Sequence, residues 1–228
     1  MTNFRIQCIE QHVRAVMERV VNPDLKLAHD FKHVDRVRHW ALRIATHETA
    51  LDADVVEATA LLHDIGLAYV ETRMEHAAVG ADVAGVFLRE HQLFAEPDID
   101  AIADAIRWHS SLSGGGELGS VLRDADILDL LGAVGIMRAC TSKYTKPEYD
   151  PTNIKGETWG MSADAFSHRF QMGAGVGPSI VDQINFQISC YDNLHTATAR
   201  RLADPLVAFT KAYLVQLEYE IQTSRADA

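Results

Sequence analysis

The sequence predicts an all-α bundle folded as a single domain. Two observations carry this. Apolar residues recur at three- and four-residue steps through most of the chain, and no stretch reads as a convincing strand. A third bounds the size: 228 residues with 47% hydrophobic content are enough for one sizeable core. Residues 1–228 are read as one domain, with a core at about 25–140, an excursion at 141–178 and closing helices over 179–224.

The elements follow in order. Ile6, Ile9, Val13, Met17 and Val20 form one stripe and predict a helix over 4–20. Asn22-Pro23-Asp24 breaks the chain. Val34, Val37, Ala41 and Ile44 predict a helix over 30–46, with His33 and Trp40 on or beside its apolar face. Asp52 reads as the N-cap of a helix from Val55 to His63, which is almost wholly apolar and therefore central. Further helices are predicted over 75–91, over 98–109 (Ile99, Ile102 and Ile106 in register) and over 118–139, with Gly114-Gly115-Gly116 as a flexible turn before the last. Residues 141–178 are punctured by Pro147, Pro151, Gly156, Gly160, Gly173, Gly175, Gly177 and Pro178. A short helix near 163–170 is expected there, and the stretch reads either as a lid or binding loop or as a plain surface insertion. Helices over 180–193 and 204–221 close the chain, the last with Leu206, Phe209, Tyr213, Leu217 and Ile221 on one stripe.

Composition excludes several classes. No apolar run approaches the roughly 20 residues that span a bilayer, and the N-terminus lacks the apolar stretch of a signal peptide. Cys8, Cys140 and Cys190 are scattered outside any zinc spacing, which reads as reduced thiols in a cytoplasmic protein. A formal net charge of −11 argues against a nucleic-acid backbone as partner. It leaves room for a small anionic substrate, because a metal and a few cations make a local positive site on an acidic protein.

The chemistry centres on Leu61-Leu62-His63-Asp64-Ile65-Gly66. Two metal-ligand types stand side by side at the end of a buried helix, where they are costly unless paired, hydrogen-bonded or metal-bound. Partners lie on neighbouring helices. Upstream, His29 and His33 are one turn apart, and His33 is next to the apolar stripe. Downstream, Asp126 precedes an apolar segment and Asp129 follows one turn later. His33, His63, Asp64 and Asp126 make two imidazoles and two carboxylates, a set suited to a divalent first-row metal with positions left open. His76 and His109 are candidates for a second metal. Each also reads as an ordinary helix-end histidine, solvated at an N-terminus or favoured by the macrodipole at a C-terminus. His12, His39, His47, His91, His168 and His195 read as surface or loop residues.

The order His33, His63-Asp64, Asp126 on successive helices resembles the HD metal-dependent phosphohydrolase superfamily, and His63-Asp64-Ile65-Gly66 matches the extended form of its motif. The run from Asp124 to Arg138 resembles the small bacterial single-domain group that includes nucleotide pyrophosphohydrolases. The resemblance covers about 25–140 well, the last two helices weakly and 141–178 poorly. It implies a helical bundle of the HD type, a divalent metal (Mn, Fe, Ni, Zn or Mg) and hydrolysis of a phosphate ester or anhydride. The implied substrate is a nucleotide or related small phosphate, and homo-oligomers are compatible with it. Asp64 would both ligate and help orient or deprotonate the attacking water. Many members carry a lysine after His-Asp-x-Gly, where this chain has Leu67. A phosphate-contacting cation must then come from elsewhere. Lys32, Arg36, Arg107, Arg123 and Arg138 are candidates, with Arg36 and Lys32 first because they flank His33. His33, His63, Asp64, His76, His109 and Asp126 also follow the six-ligand order of the superfamily's di-iron oxygenases, although the Asp64-to-His76 gap is short for that branch. A non-catalytic metal-binding module is the remaining alternative.

Overall fold

The computed structural model describes residues 3–20, 22–48 and 50–224. Among them the regular structure is helical, with one isolated bridge between Asp150 and Asn153. The chain divides into two compact units. One runs to Asp126 and takes in His195–Ala199, and the other comprises Ile127–Leu194 and the chain from Arg200 onward.

In the first unit, α1 (Phe4–Met17) starts at Asn3, whose side chain accepts from the Arg5 N–H, and buries Ile6, Ile9, Val13, Val16 and Met17. A short turn, α2 (Pro23–Lys26), leads to α3 (Phe31–Glu48), whose buried stripe is His33, Val34, Val37, Ala41, Ile44 and Ala45. α4 (Ala53–Leu62) is capped by Asp52, which accepts from the Asp54 and Val55 N–H groups. It is buried on nearly all sides and packs against α1, α3 and α6. Fully burying a side chain such as Ile44, Leu61 or Leu62 contributes about 1.5–3 kcal/mol. α5 (His76–Glu90) and α6 (Glu96–Trp108, with Pro97 in its first turn) pack against each other, and α7 (Gly116–Leu128) follows.

A backbone contact sets the spacing between the end of α4 and the start of α5. After His63 the chain makes a 3₁₀ turn at Ile65–Ala68, which packs on α5. A Cβ on Gly66 would stand 2.1 Å from the His76 carbonyl oxygen and 2.6 Å from the Gly80 nitrogen. Only glycine allows this approach, so the final residue of the His-Asp-Ile-Gly motif is a packing requirement.

The second unit contains α8 (Gly132–Ser142), α9 (Ala163–Gln171), α10 (Ile180–Ser189) and most of α11 (Ala197–Thr223). Ile136, Ala139, Ile180, Val181, Ile184 and Leu214 form its core. The predicted helix over 118–139 is two helices. The chain turns at Gly132, which has a φ of 68°, and folds back so tightly that a Cβ on Gly135 would meet the Leu130 carbonyl at 1.9 Å. The last helix begins before the predicted Asp204, with Thr196 Oγ1 accepting from the Ala199 N–H at 3.1 Å, and it runs through Pro205.

The excursion has the one helix expected of it, and Asp182 ties its turns to α10. Oδ1 accepts from Thr158 N (3.2 Å) and Thr158 Oγ1 (2.8 Å). Oδ2 accepts from Ser179 N (3.1 Å) and Ser179 Oγ (2.7 Å). Gly156 and Gly177 make room, since a Cβ on either would come within 2.6 Å of Asp182 atoms.

Candidate metal centre

Asp64 follows α4 and is buried, and its neighbours are imidazoles from four elements of the first unit. Oδ2 stands 2.9 Å from His29 Nδ1, 3.4 Å from His33 Nε2 and 3.4 Å from His63 Nε2. Oδ1 stands 3.4 Å from His76 Nε2 and 3.7 Å from His109 Nε2. His33 and His63 Nε2 are 3.3 Å apart, His33 Nε2 is 3.5 Å from Asp126 Oδ1, and the His76 and His109 Nε2 atoms are 3.1 Å apart. All six candidate ligands named from the sequence therefore come together, and His29 joins them: the residues able to hold an ion form three overlapping groups, His29–His33–Asp64, His33–His63–Asp126 and Asp64–His76–His109.

Helix ends aim the rings. His63, His76 and His109 each direct Nδ1 at the carbonyl three residues earlier: Ala60 at 2.8 Å, Arg73 at 2.5 Å and Ile106 at 2.6 Å. A carbonyl only accepts, so each Nδ1 carries the proton and each neutral ring presents an Nε2 lone pair. Those lone pairs converge on one another and on a carboxylate, which also only accepts. The Ser110 hydroxyl lies 3.2 Å from His109 Nε2 and 3.4 Å from His76 Nε2 and can donate to one of them; the remaining acceptors face one another in a buried space, an arrangement that favours cations. The spacing suits them: donors about 2.0–2.1 Å from a common ion, at octahedral or tetrahedral angles, stand about 2.8–3.4 Å apart. The donor set therefore fits divalent metal in these groups.

Protons are the alternative cations, and the electrostatics show where one would go. Burial opposes charge on His63, but Asp64 and Asp126 outweigh it and raise its pKa to about 9. Burial likewise opposes the Asp64 anion, yet His63 and His29 hold the carboxyl well below its ordinary range. Burial lowers the pKa of His29 to about 4 and lowers that of His109, both against the pull of Asp64.

The candidate cations are distributed differently. The Lys32 side chain is 81% exposed and pairs with Asp30 at 3.1 Å, while Arg36 is half-buried on α3 one turn beyond His33. Arg107 pairs with Asp82 at 2.6 Å on the surface. Arg123 is buried and binds the Gly114 carbonyl at 2.7 Å, pinning the glycine turn. Arg138 is buried against Asp129 at 2.8 Å within the second unit, so Arg123 and Arg138 each have a structural partner. Leu67 belongs to the core.

Several contacts leave no mark in the sequence pattern. The spacing of His29 and His33 does not reveal the contact of His29 with Asp64. Arg73, next to the site in the turn before α5, has no ion-pair partner among the described residues, and its charge contributes to lowering the pKa of His29. His195 is an exposed loop residue as expected, and its backbone N–H and that of Thr196 bind the buried Asp124 at 2.8 and 2.7 Å. His12 is half-buried and stacks on Phe87 at 3.9 Å.

Residues 30–133 match the family model of the HD domain. YpgQ of Bacillus subtilis (strain 168), described as an uncharacterized protein, is 26% identical over 223 residues, which cover 92% of this chain and 93% of YpgQ. A crystal structure of B. subtilis YpgQ in complex with ADP superposes with a TM-score of 0.61 at 27% identity, covering 95% of this chain and 94% of that one. A predicted HD superfamily hydrolase from an uncultured Thermotogales bacterium gives a TM-score of 0.62 at 25% identity, covering 94% and 91%. The helical architecture, the matched segment and these neighbours agree: residues 30–133 carry an HD domain, and the solved structures that share this architecture include a predicted HD superfamily hydrolase.

Proposed function

We propose that this protein is a metal-dependent phosphohydrolase that cleaves a phosphate ester or anhydride of a nucleotide or similar small phosphate. The observation that carries the reading is the convergence of Nε2 lone pairs on both oxygens of Asp64. His33, His63, Asp64 and Asp126 would hold one divalent ion, and Asp64, His76 and His109 a second. Bound there, divalent ions would supply Lewis acidity toward a phosphoryl oxygen and lower the pKa of a water. Asp64 would help orient the attacking water. The complex of YpgQ with ADP supports a nucleotide as substrate class.

A cation is needed opposite the phosphate oxygens, and Leu67 does not supply it. Arg36 and Lys32 remain candidates from α3, and Arg73 joins them as an exposed arginine beside His29. Arg73→Ala should raise KM about tenfold with metal content unchanged, as loss of one charge-assisted phosphate contact does. The decisive experiment is elemental analysis of metal per chain, followed by assay on nucleoside polyphosphates and simple phosphate esters. Turnover lost in Asp64→Ala supports the proposal. A metal-loaded wild type that is inert on the whole panel removes it and leaves a non-catalytic metal-binding module.

The His76–His109 pair favours one alternative, a di-iron oxygenase. Two irons per chain and consumption of dioxygen would establish it, and divalent ions other than iron with phosphate release would exclude it.

A further inference from the structure

We infer that His29 is a positioning residue of the metal centre: it donates a hydrogen bond to Asp64 and fixes how that carboxylate presents its two oxygens. The inference rests on the metal-centre reading above. Two independent observations carry it. The first is the contact. His29 is buried, and its Nδ1 lies 2.9 Å from Asp64 Oδ2, while the other imidazoles stand 3.4–3.7 Å from the same carboxylate. That distance is the length of a charge-assisted N–H···O bond. The second is the backbone. Ala28 has a φ of 67°, and the conformation brings His29 back from the end of α2 onto the site. A non-glycine residue there costs of order 1 kcal/mol and persists only where the surroundings demand it, often at functional sites.

A carboxylate shared by two groups of ligands has to be held in rotation about its own axis. His33 and His63 Nε2 flank Oδ2, and His76 and His109 Nε2 flank Oδ1. None of these is held by Asp64 once it ligates a cation. His29 could itself join a ligand group with His33 and Asp64, but its 2.9 Å contact is the one in the set at hydrogen-bond length to the carboxylate, and such outer donors typically set metal affinity by 10–100-fold.

The test is Mn²⁺ affinity of the full-length protein, read from the electron paramagnetic resonance signal of free Mn²⁺. His29→Ala should bind about 10–100-fold more weakly with its helical circular dichroism retained. His29→Asn, whose amide N–H stands where Nδ1–H does, should recover affinity to within about threefold of wild type, an order-of-magnitude expectation for a restored donor. Should the alanine variant not fold, His29→Asn against His29→Asp gives the same comparison, because only asparagine donates. Affinity unchanged in His29→Ala overturns the inference. So does His29→Asn as weak as His29→Ala, which would make His29 a ligand. Wild-type protein that binds no Mn²⁺ or other divalent ion would instead remove the metal-centre reading itself.

Discussion

Two buried aspartates, one in each compact unit, have opposite surroundings. Asp182 in the second unit accepts from two backbone N–H groups and two hydroxyls, all donors of the protein itself. Asp64 in the first unit has one hydrogen bond of ordinary length, from His29, and otherwise faces imidazole nitrogens whose protons are committed elsewhere for His63, His76 and His109. Asp124 belongs with Asp182, since it is satisfied by the backbone of His195 and Thr196 and the Thr196 hydroxyl. Burial alone thus does not mark a functional carboxylate. The donors around it do: Asp182 is complete as folded, whereas Asp64 has the His29 donor and faces the Nε2 atoms of four further histidines.

The comparison breaks most sharply under substitution. Asp64→Asn should lower divalent-metal affinity by about 100-fold or more and abolish turnover while the helices persist, because a ligand is lost from both groups at once. Asp64→Asn protein that keeps full metal content would end the distinction. Asp182→Ala should do the reverse. It strands two N–H groups and two hydroxyls, and we expect a loss of about 3–5 kcal/mol, or a melting temperature lower by about 10 °C, with metal stoichiometry intact. Denaturant unfolding beside elemental analysis would separate the two effects.

A subtler test uses pH on chelator-treated protein. The raised His63 pKa stabilises the fold fully below about 6.5, its unfolded value, and that contribution is lost as pH climbs through about 9. The depressed pKa of His29 acts in the other direction: between about 6.5 and about 4 the unfolded chain takes up a proton that the folded site refuses. Metal-free stability should therefore peak near pH 6.5 and fall by a few kcal/mol on the alkaline side. Metal occupancy, which cannot coexist with a proton on His63 Nε2, should suppress the alkaline fall. Thermal melts across pH with and without Mn²⁺ would check this, and identical profiles would count against the site. The smallest test sets the scale. Ser162 caps α9 at an exposed position, and Ser162→Ala should cost about 1 kcal/mol in the same melts, well below Asp182→Ala.

The helix class was legible because it depends on periodicity, and the candidate ligands stood out through helix spacing together with the resemblance to the HD superfamily. Asp52 as a cap, the apolar α4 and the inward histidines follow from spacing of three and four residues. What stayed hidden depends on backbone turns. Continuous apolar patterning over 118–139 concealed the fold-back at Gly132, and the expected start at Asp204 lies inside α11. His29 precedes its helix and reaches Asp64 only through the left-handed Ala28. Arg138 read as a substrate cation, yet its partner Asp129 is reached only because α8 turns back. Asp182 gave no signal at all, since its donors come from 24 residues upstream as well as from the adjoining cap.

The single carboxylate between His33–His63 and His76–His109 has a thermodynamic corollary. Were cations to load both sides, each would change the charge and orientation offered to the other, and the two occupancies would not be independent. Linkage makes that coupling reciprocal: the factor by which the first ion alters the second equals the factor by which the second alters the first. Binding isotherms should then resolve into two macroscopic steps that belong to the pair, and their separation measures how completely Asp64 is shared.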